Sequence, residues 1–230
     1  MKKTGNSLVD DSTAEWIVGS DEAGYGTWAG DLVVVGTAVP RDWNDNNVQD
    51  SKALKDRERE AVVRKYRKTV LWKAIRVSPT HIDAVGVWNA LIQAHNETHA
   101  FLGESLTSQG VQSSVLHIVD GLENARNKLL SHLIPMAKAD TKVPAVSLAS
   151  CFAKVIQCKL MDQADKDYPG YGFRSHRGYH SPQHVAALKK LGVCPLHRRS
   201  YSSVKAYLKK PSQSETIEDF FDDWGSNPDS

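Results

Sequence analysis

The stretch from 16 to 39, WIVGSDEAGYGTWAGDLVVVGTAV, places two adjacent carboxylates between two apolar runs of strand length. Asp21 and Glu22 follow the first run, and a loop with Gly24 and Gly26 leads to the second. In a continuing strand, neighbouring side chains point to opposite faces. If both acids serve one site, the first strand is therefore expected to end there. The glycines allow a sharp turn or a close approach to a ligand. A polar hairpin without a site is the alternative.

The size and composition of the chain indicate one domain with tails in a reducing compartment. The 230 residues suffice for a substantial core. The sequence has no apolar run near the ~20 residues that a membrane helix needs, and its N-terminus lacks the apolar region of a signal peptide. Three cysteines without CxxC spacing argue against a disulfide framework or a zinc site. We therefore predict a cytoplasmic protein without membrane association.

The small net charge of +2 conceals an asymmetry between the body of the chain and its C-terminus. Six of the 27 acidic residues lie in 211–230, a segment without Lys or Arg, so the rest carries 29 basic against 21 acidic residues. A basic body is suited to a polyanionic partner.

Strand-like and helical patterns alternate along the chain, which predicts an α/β domain. Further strands are predicted at 71–77, 115–119 and 133–137, and helices at 56–68, 80–106 and 147–166. Thr80 with Asp83 resembles a helix cap, and Ser181 followed by Pro182 is typical of a cap and first helical position.

Acidic residues follow three of the predicted strands: Asp21 with Glu22, then Asp120, then Asp140. Sites in open α/β sheets collect at strand ends, so these carboxylates could share one edge. Clustered carboxylates repel one another unless cations neutralise them, and an all-oxygen ligand set suits Mg²⁺ or Mn²⁺. Two such ions about 3.5–4 Å apart would clamp a phosphodiester for in-line displacement. The alternative is that Asp120 and Asp140 are ordinary turn residues.

Seven sequence blocks resemble, in the same order, the successive motifs of type 2 ribonuclease H, ribonuclease HII. The blocks are SDEAGYGTWAG, DSKALKDRERE, VDG, KADTKVPAVSLASCFAKV, DKDYPGYGF, HRGY and HRRSY. The resemblance extends from Trp16 to about Lys205. One such block would be a weak signal, whereas seven collinear blocks indicate the family.

The resemblance implies a ribonuclease H fold, with a five-stranded mixed sheet flanked by helices and a helical C-terminal extension. It implies a metal-dependent endonuclease that cuts the RNA strand of RNA–DNA hybrids. It also implies nicking of duplex DNA 5′ to an embedded ribonucleotide, with 5′-phosphate and 3′-hydroxyl products. The family's four acidic metal ligands match Asp21, Glu22, Asp120 and Asp140. Its substrate lysine matches Lys52, and the tyrosine that packs on a deoxyribose matches Tyr179.

Other residues have a physical reason to contact such a substrate. An enzyme that distinguishes RNA from DNA reads the 2′-hydroxyl, which the backbone from Gly24 to Gly26 could reach. Phosphate contacts are predicted for Lys154, Arg177, Arg198 and Arg199. For Ser147, an anion site at a helix N-terminus and buried packing are both open.

The glycine loop departs from the family pattern, because Gly24-Tyr25-Gly26 stands where Gly-Arg-Gly is usual. The arginine of the family lies by the scissile junction, and a tyrosine has neither its charge nor its planar donor fork. The hypothesis is that Tyr25 favours long hybrids over incision at a single ribonucleotide.

The predicted organisation is an N-terminal tail over 1–15, a catalytic domain over 16–209 with its helical extension from about 165, and an acidic tail over 210–230. In the tail, Ile217, Phe220 and Phe221 have the spacing of sliding-clamp binding peptides. Ser214 stands where such peptides have glutamine, and a mobile, solubilising tail is the alternative.

Two other functions fit parts of the sequence. Type 3 ribonuclease H shares the fold and cuts hybrids, but it usually has an extra N-terminal domain, whereas about fifteen residues precede Trp16 here. A non-catalytic hybrid-binding protein would be expected to lack one of the acids. We predict a monomeric enzyme that acts on RNA–DNA hybrids and on duplex DNA containing ribonucleotides.

Overall fold

The computed structural model describes residues 13–45, 48 and 54–208. Within these ranges, five strands form one sheet in the order β3-β2-β1-β4-β5. The strands are β1 (Trp16–Ala23), β2 (Leu32–Pro40), β3 (Leu71–Val77), β4 (Val115–Asp120) and β5 (Leu133–Met136). β2 is antiparallel to both β1 and β3, whereas β1, β4 and β5 are parallel. The predicted five-stranded mixed sheet is therefore confirmed, and the carboxyl ends of β1, β4 and β5 share one edge.

Seven α-helices accompany the sheet in the described part of the chain. They are α1 (Asp56–Tyr66), α2 (Pro79–Val85), α3 (Val87–Ser108), α4 (Pro144–Asp167), α5 (Phe173–His176), α6 (Pro182–Leu191) and α7 (Ser202–Lys205). Short 3₁₀ helices cover Glu123–Ala125 and Ala139–Thr141. None of the described helices is long and apolar enough to cross a membrane.

The two long helices cover opposite faces of the sheet. On one face, Ile17 of β1 packs in a cluster with Phe152 of α4. On the other face, Val18 packs with Leu102 of α3. Phe152 and Leu102 are fully buried, and truncating such side chains to alanine costs about 2–5 kcal/mol each. Burial on both faces explains why β2 is an almost uninterrupted apolar run.

The single predicted helix from 80 to 106 is two helices, because Gly86 interrupts it with a φ of 81°. The predicted cap at Thr80 is also wrong. The cap lies two residues earlier, where the Ser78 hydroxyl accepts from the His81 amide and Pro79 occupies the first position. The cap predicted at Ser181 is confirmed, since its side chain accepts from the His184 amide and Gly192 ends the helix.

Candidate active site

Strand β1 does not end at the acidic pair, as the sequence predicted, but continues through it to Ala23. Pairing with β2 is kept at both positions, with Asp21 opposite Val35 and Glu22 opposite Val34. The two carboxylates therefore point to opposite faces of the sheet. Asp21 belongs to the face covered by α4, and Glu22 to the face covered by α3.

Three of the four predicted acids meet at the carboxyl edge of the sheet. One oxygen from each of Asp21, Asp120 and Asp140 can be chosen so that all lie within 4.8 Å of one another. Asp21 comes from within β1, Asp120 ends β4, and Asp140 lies in the 3₁₀ helix after β5. That helix is tied to the sheet because Oδ1 of Asp120 accepts from the Ala139 amide at 2.5 Å.

The cluster carries concentrated negative charge in a poorly solvated place. Burial, together with the charges of Glu22 and Asp120, raises the pKa of Asp21 to about 7. Burial and the neighbouring Asp140 raise the pKa of Asp120, against the lowering effect of the Ala139 amide. Burial and mutual repulsion therefore disfavour the charged forms of these carboxylates, and a divalent cation would favour them.

The donor set fits a hard divalent cation. Asp21 and Asp140 are buried, and Asp120 is half-buried. Carboxylate oxygens are the ligands that Mg²⁺ and Mn²⁺ prefer. These three aspartates are therefore the residues that could hold such an ion, and further ligands could come from water or a phosphate.

Glu22 lies beside the cluster and is held from the other face of the sheet. Its Oε2 is 3.5 Å from Nε2 of the fully buried His95 on α3. A quarter of the Glu22 side chain is exposed, so part of this side chain is accessible from solvent.

The glycine loop after β1 lies against Tyr179. At Gly24, φ is +84° and a β-carbon would lie 2.8 Å from the carbonyl oxygen of Asp31, so the fold itself requires glycine. At Gly26, a β-carbon would meet only the Tyr179 ring, at 4.0 Å. Gly26 is therefore not required by internal packing, and it leaves open space beside the ring of Tyr179, which is 47% exposed.

The C-terminal extension fixes this loop through its backbone. The Trp28 amide donates to the carbonyl oxygen of Gly178, next to Tyr179, at 2.8 Å, and the Arg198 amide donates to the Trp28 carbonyl at 2.9 Å. The extension therefore both presents Tyr179 and braces the loop.

Arg198 does not lie where a phosphate could reach it. Its side chain is completely buried. The guanidinium donates to the carbonyl oxygens of Gly24, Tyr25 and Gly30 at 2.6–3.2 Å, and to the Tyr201 hydroxyl. The predicted phosphate contact is wrong for this residue, because its planar donor fork is used inside the protein to shape the glycine loop.

The other predicted substrate residues differ in whether their side chains are exposed or already hydrogen-bonded within the protein. Arg199 is exposed, and its backbone amide donates to Asp83. Lys154 is half-buried on the side of α4 that faces α1. Arg177 donates to Asp162 at 2.6 Å and to the Cys158 carbonyl. Their phosphate contacts stay predictions.

Ser147 is buried and donates to the carbonyl oxygens of Asp140 and Val143, which favours the packing interpretation. Tyr25 is 37% exposed at the rim of the loop. Lys52 and the tail residues Ile217, Phe220 and Phe221 lie outside the described residues.

The sequence analysis did not single out a group of buried polar residues beside Glu22. The Ser20 hydroxyl lies 2.8 Å from Nδ1 of His95 and 2.7 Å from Nε2 of His99. Nδ1 of His99 lies 3.0 Å from Nδ1 of His117. A signal was present, since His95 and His99 are four residues apart and therefore share the buried face of α3.

Comparisons with known proteins agree with this geometry. The family model described as Ribonuclease HII matches residues 18–204. A ribonuclease HII from Halorhodospira halophila is 38% identical over 199 residues, which are 86% of this chain and 97% of the relative.

Two solved structures share the fold. The ribonuclease HII chain in the PCNA:RNase HII complex from Archaeoglobus fulgidus matches with a TM-score of 0.66 and 25% identity, over 89% of this chain and 100% of that one. Bst-RNase HIII in complex with Mn²⁺ has a TM-score of 0.69 at 16% identity, over 90% and 75%. The sequence matches identify an endonuclease of the ribonuclease H type, and the chain belongs to the ribonuclease HII family.

Proposed function

We propose that this enzyme hydrolyses the RNA strand of RNA–DNA hybrids at a site that holds two Mg²⁺ or Mn²⁺ ions, leaving 5′-phosphate and 3′-hydroxyl ends. The observation that carries the proposal is the meeting of Asp21, Asp120 and Asp140 at one edge of the sheet. Glu22 is the fourth proposed ligand. When bound, two such ions supply charge stabilisation at the attacking and leaving oxygens of an in-line displacement.

The protein's own contribution is a rigid arrangement of carboxylates. The amide of Ala139 holds Asp120 at the end of β4, and the 3₁₀ helix after β5 presents Asp140 beside it. Carboxylates that are positioned before the substrate binds lower the cost of reaching the transition state.

The space beside Gly26 supports recognition of the nucleic-acid backbone. We assign the loop from Gly24 to Gly26 to the 2′-hydroxyl, because Gly26 is exposed next to open space, where its backbone groups can hydrogen-bond to that hydroxyl. Tyr179 is assigned to the sugar beyond the junction, since its exposed ring lies next to that space. The side chains of Lys154, Arg177 and Arg199, together with Lys52, are assigned to phosphates.

Tyr25 supports a preference for continuous hybrids over single ribonucleotides. Its side chain is at the rim of the loop, where a charged fork would reach a phosphate and a phenol supplies one donor. Nicking 5′ to an embedded ribonucleotide is proposed as a slower activity of the same site.

Three further predictions concern the surroundings of the enzyme. The proposed clamp contact through Ile217, Phe220 and Phe221 is supported by the Archaeoglobus fulgidus structure, in which ribonuclease HII is in complex with PCNA. Deleting 211–230 and measuring binding to the host's clamp tests it. A cytoplasmic location and a monomeric state stay predictions from the sequence. Cell fractionation tests the location, and light scattering tests the monomeric state.

The test of the proposed function uses two labelled duplexes, assayed in Mg²⁺ and separately in Mn²⁺. One duplex carries a continuous RNA tract opposite DNA, and the other carries one ribonucleotide in DNA. An all-DNA duplex of the same sequence is the control. We expect cleavage of the tract at several positions, slower nicking of the second duplex on the 5′ side of the ribonucleotide, and no cleavage of the control.

The set of duplexes that are cleaved decides between the possible outcomes. Cleavage of the RNA tract alone would contradict the proposed nicking at single ribonucleotides and would support hybrid hydrolysis. Cleavage of the all-DNA duplex, or no cleavage of any duplex with either metal, would contradict the proposed function.

A further inference from the structure

A buried chain of histidines and one serine runs through the core to Glu22. It begins at His117 on β4, passes through His99 on α3 and Ser20 on β1, and reaches His95 on α3. All four residues are buried, and His95 and His99 have no exposed surface. The last contact joins Nε2 of His95 to Oε2 of Glu22 at 3.5 Å.

The number of available protons limits the directions in which the hydrogen bonds between these histidines and Ser20 can run. The Ser20 hydroxyl has one proton, so it can donate to only one of the two histidine nitrogens that face it, and the other nitrogen must donate to it. The facing Nδ1 atoms of His99 and His117 likewise share one proton. Burial lowers the pKa of His117 to about 4 and that of His99 well below 6.5, so both rings are neutral near pH 7.

With one proton on the His95 ring, two orders of donors are possible, and they differ in which nitrogen state of His95 faces Glu22. If His95 donates from Nδ1 to Ser20, its Nε2 carries a lone pair that faces the carboxylate, which is repulsive. In the opposite order, His117 donates to His99, His99 to Ser20, and Ser20 to Nδ1 of His95. That order leaves the His95 proton on Nε2, where it faces Oε2 of Glu22.

We propose that this chain holds His95 in its Nε2–H tautomer and that His95 thereby positions Glu22. One carboxylate oxygen, Oε2, is directed to the histidine, and Oε1 is the oxygen assigned to a cation. The 3.5 Å separation is long for a hydrogen bond, and such contacts often tighten only when the ligand is bound. His95 is thus a positioning residue, and Ser20 sets its tautomer. The inference rests on the proposed role of Glu22 as a metal ligand.

The position of Glu22 explains why such a residue is needed. Because β1 continues through the acidic pair, Glu22 points away from the face on which Asp21, Asp120 and Asp140 meet. Glu22 lies on the opposite face of the sheet, so its side chain needs a fixed orientation to act together with the three aspartates. Hydrogen bonds to metal-ligating carboxylates commonly provide that orientation, and their loss typically costs about 10–100-fold in metal affinity.

The first measurement is the histidine ¹⁵N NMR spectrum of the full chain without metal at pH 7. His95 is assigned in the wild-type protein by backbone-to-ring correlations, and the assignment is checked by the signal that disappears in His95→Gln. We expect a protonated nitrogen at Nε2 and an unprotonated one at Nδ1. The Nδ1–H tautomer, or a doubly protonated ring, would overturn the proposal. The wild-type spectrum decides this point even if a variant fails to fold.

The second measurement is Mn²⁺ affinity by titration calorimetry for wild type, Ser20→Ala and His81→Gln. His81 is an exposed histidine on α2, so its substitution is the matched control. We expect Ser20→Ala to weaken Mn²⁺ binding about tenfold and to lose the single-tautomer signature of His95, whereas His81→Gln changes neither. Wild-type affinity in Ser20→Ala would overturn the positioning role.

The inference and the proposed function fail in different ways. A wild-type protein that neither binds Mn²⁺ nor cleaves hybrids contradicts the proposed function. A wild-type protein that does both, while Ser20→Ala binds Mn²⁺ equally well, contradicts only the inference.

Discussion

Nη2 of Arg198 donates a hydrogen bond of 2.6 Å to the carbonyl oxygen of Gly24, although 174 positions separate the two residues in the chain. The same guanidinium donates to Tyr25 and Gly30. One side chain of the C-terminal extension therefore fixes three carbonyls of the loop that lies beside the aspartate cluster. Folding of the extension and formation of the candidate site are coupled through this contact.

Replacing Arg198 is expected to destabilise the protein more than a surface arginine does. In Arg198→Lys, one ammonium group cannot satisfy three carbonyls, so the unfolding free energy should fall by about 3 kcal/mol. Arg199→Lys is the matched control, because the Arg199 side chain is exposed and should change stability by less than about 0.5 kcal/mol. Urea denaturation measures both. Equal stability of the two variants would contradict the internal role of Arg198.

The burial of Arg198 was not predictable from the sequence. A basic residue in HRRSY is compatible with a phosphate contact or with a buried brace, and only the tertiary pairing of the extension with the loop decides between them. The same holds for β1. Its apolar run ends at Gly19, whereas its pairing with β2 continues to Ala23, which turns Glu22 to the face of α3.

Other features were predictable because local chemistry determines them. The buried strands, the cap at Ser181 and the gathering of Asp21, Asp120 and Asp140 follow from apolar runs, a hydroxyl before proline and acids at strand ends. His95, Ser20 and His99 form a connected chain only after α3 packs on β1. Their individual residue types do not specify it.

A methyl group at Gly26 is expected to reduce activity without disturbing the fold. In Gly26→Ala the new β-carbon meets only the Tyr179 ring at 4.0 Å, so stability should change by less than about 0.5 kcal/mol. The methyl group would displace the substrate backbone, and hybrid cleavage should fall about 100-fold.

Gly24→Ala provides the contrast in the same experiment. Its φ of +84° and the 2.8 Å approach to Asp31 predict a clear loss of stability. Full activity in Gly26→Ala would show that the loop does not approach the substrate at this point.

Changing Tyr25 to arginine is expected to shift substrate preference. The Tyr25 backbone carbonyl binds Arg198 and Tyr201, and its side chain is partly exposed, so Tyr25→Arg should keep the fold. A charge-assisted contact with a phosphate should raise incision at a single ribonucleotide, relative to a long hybrid, about tenfold. Tyr25→Phe is the control for loss of the hydroxyl alone. An unchanged ratio in Tyr25→Arg would remove the proposed substrate preference.

Acid is expected to destabilise the C-terminal extension through two buried histidines. Burial lowers the pKa of His184 and of His197 from 6.5 to about 4. Below pH 6.5 the unfolded chain therefore binds protons that the folded chain does not. The stability that these two histidines contribute should be constant above that pH and fall on acidification, by at most about 1.4 kcal/mol per pH unit for each histidine.

The pH dependence is measured by urea denaturation between pH 7.5 and 4.5. His184→Gln should have a smaller slope than wild type, whereas His81→Gln, which alters an exposed histidine, should keep the wild-type slope. Identical slopes in all three proteins would contradict the prediction that burial of His184 makes stability fall on acidification.

Hybrid cleavage by Asp120→Asn is the most direct measurement of whether the aspartate cluster supports a metal-dependent ribonuclease H activity. The substitution keeps the size of the side chain and removes one charge from the cluster. We expect wild type to cleave an RNA tract opposite DNA in Mn²⁺ and to stop when EDTA is added. Asp120→Asn should be folded and at least about 100-fold slower. Undiminished cleavage by Asp120→Asn, or by wild type in EDTA, would contradict the account.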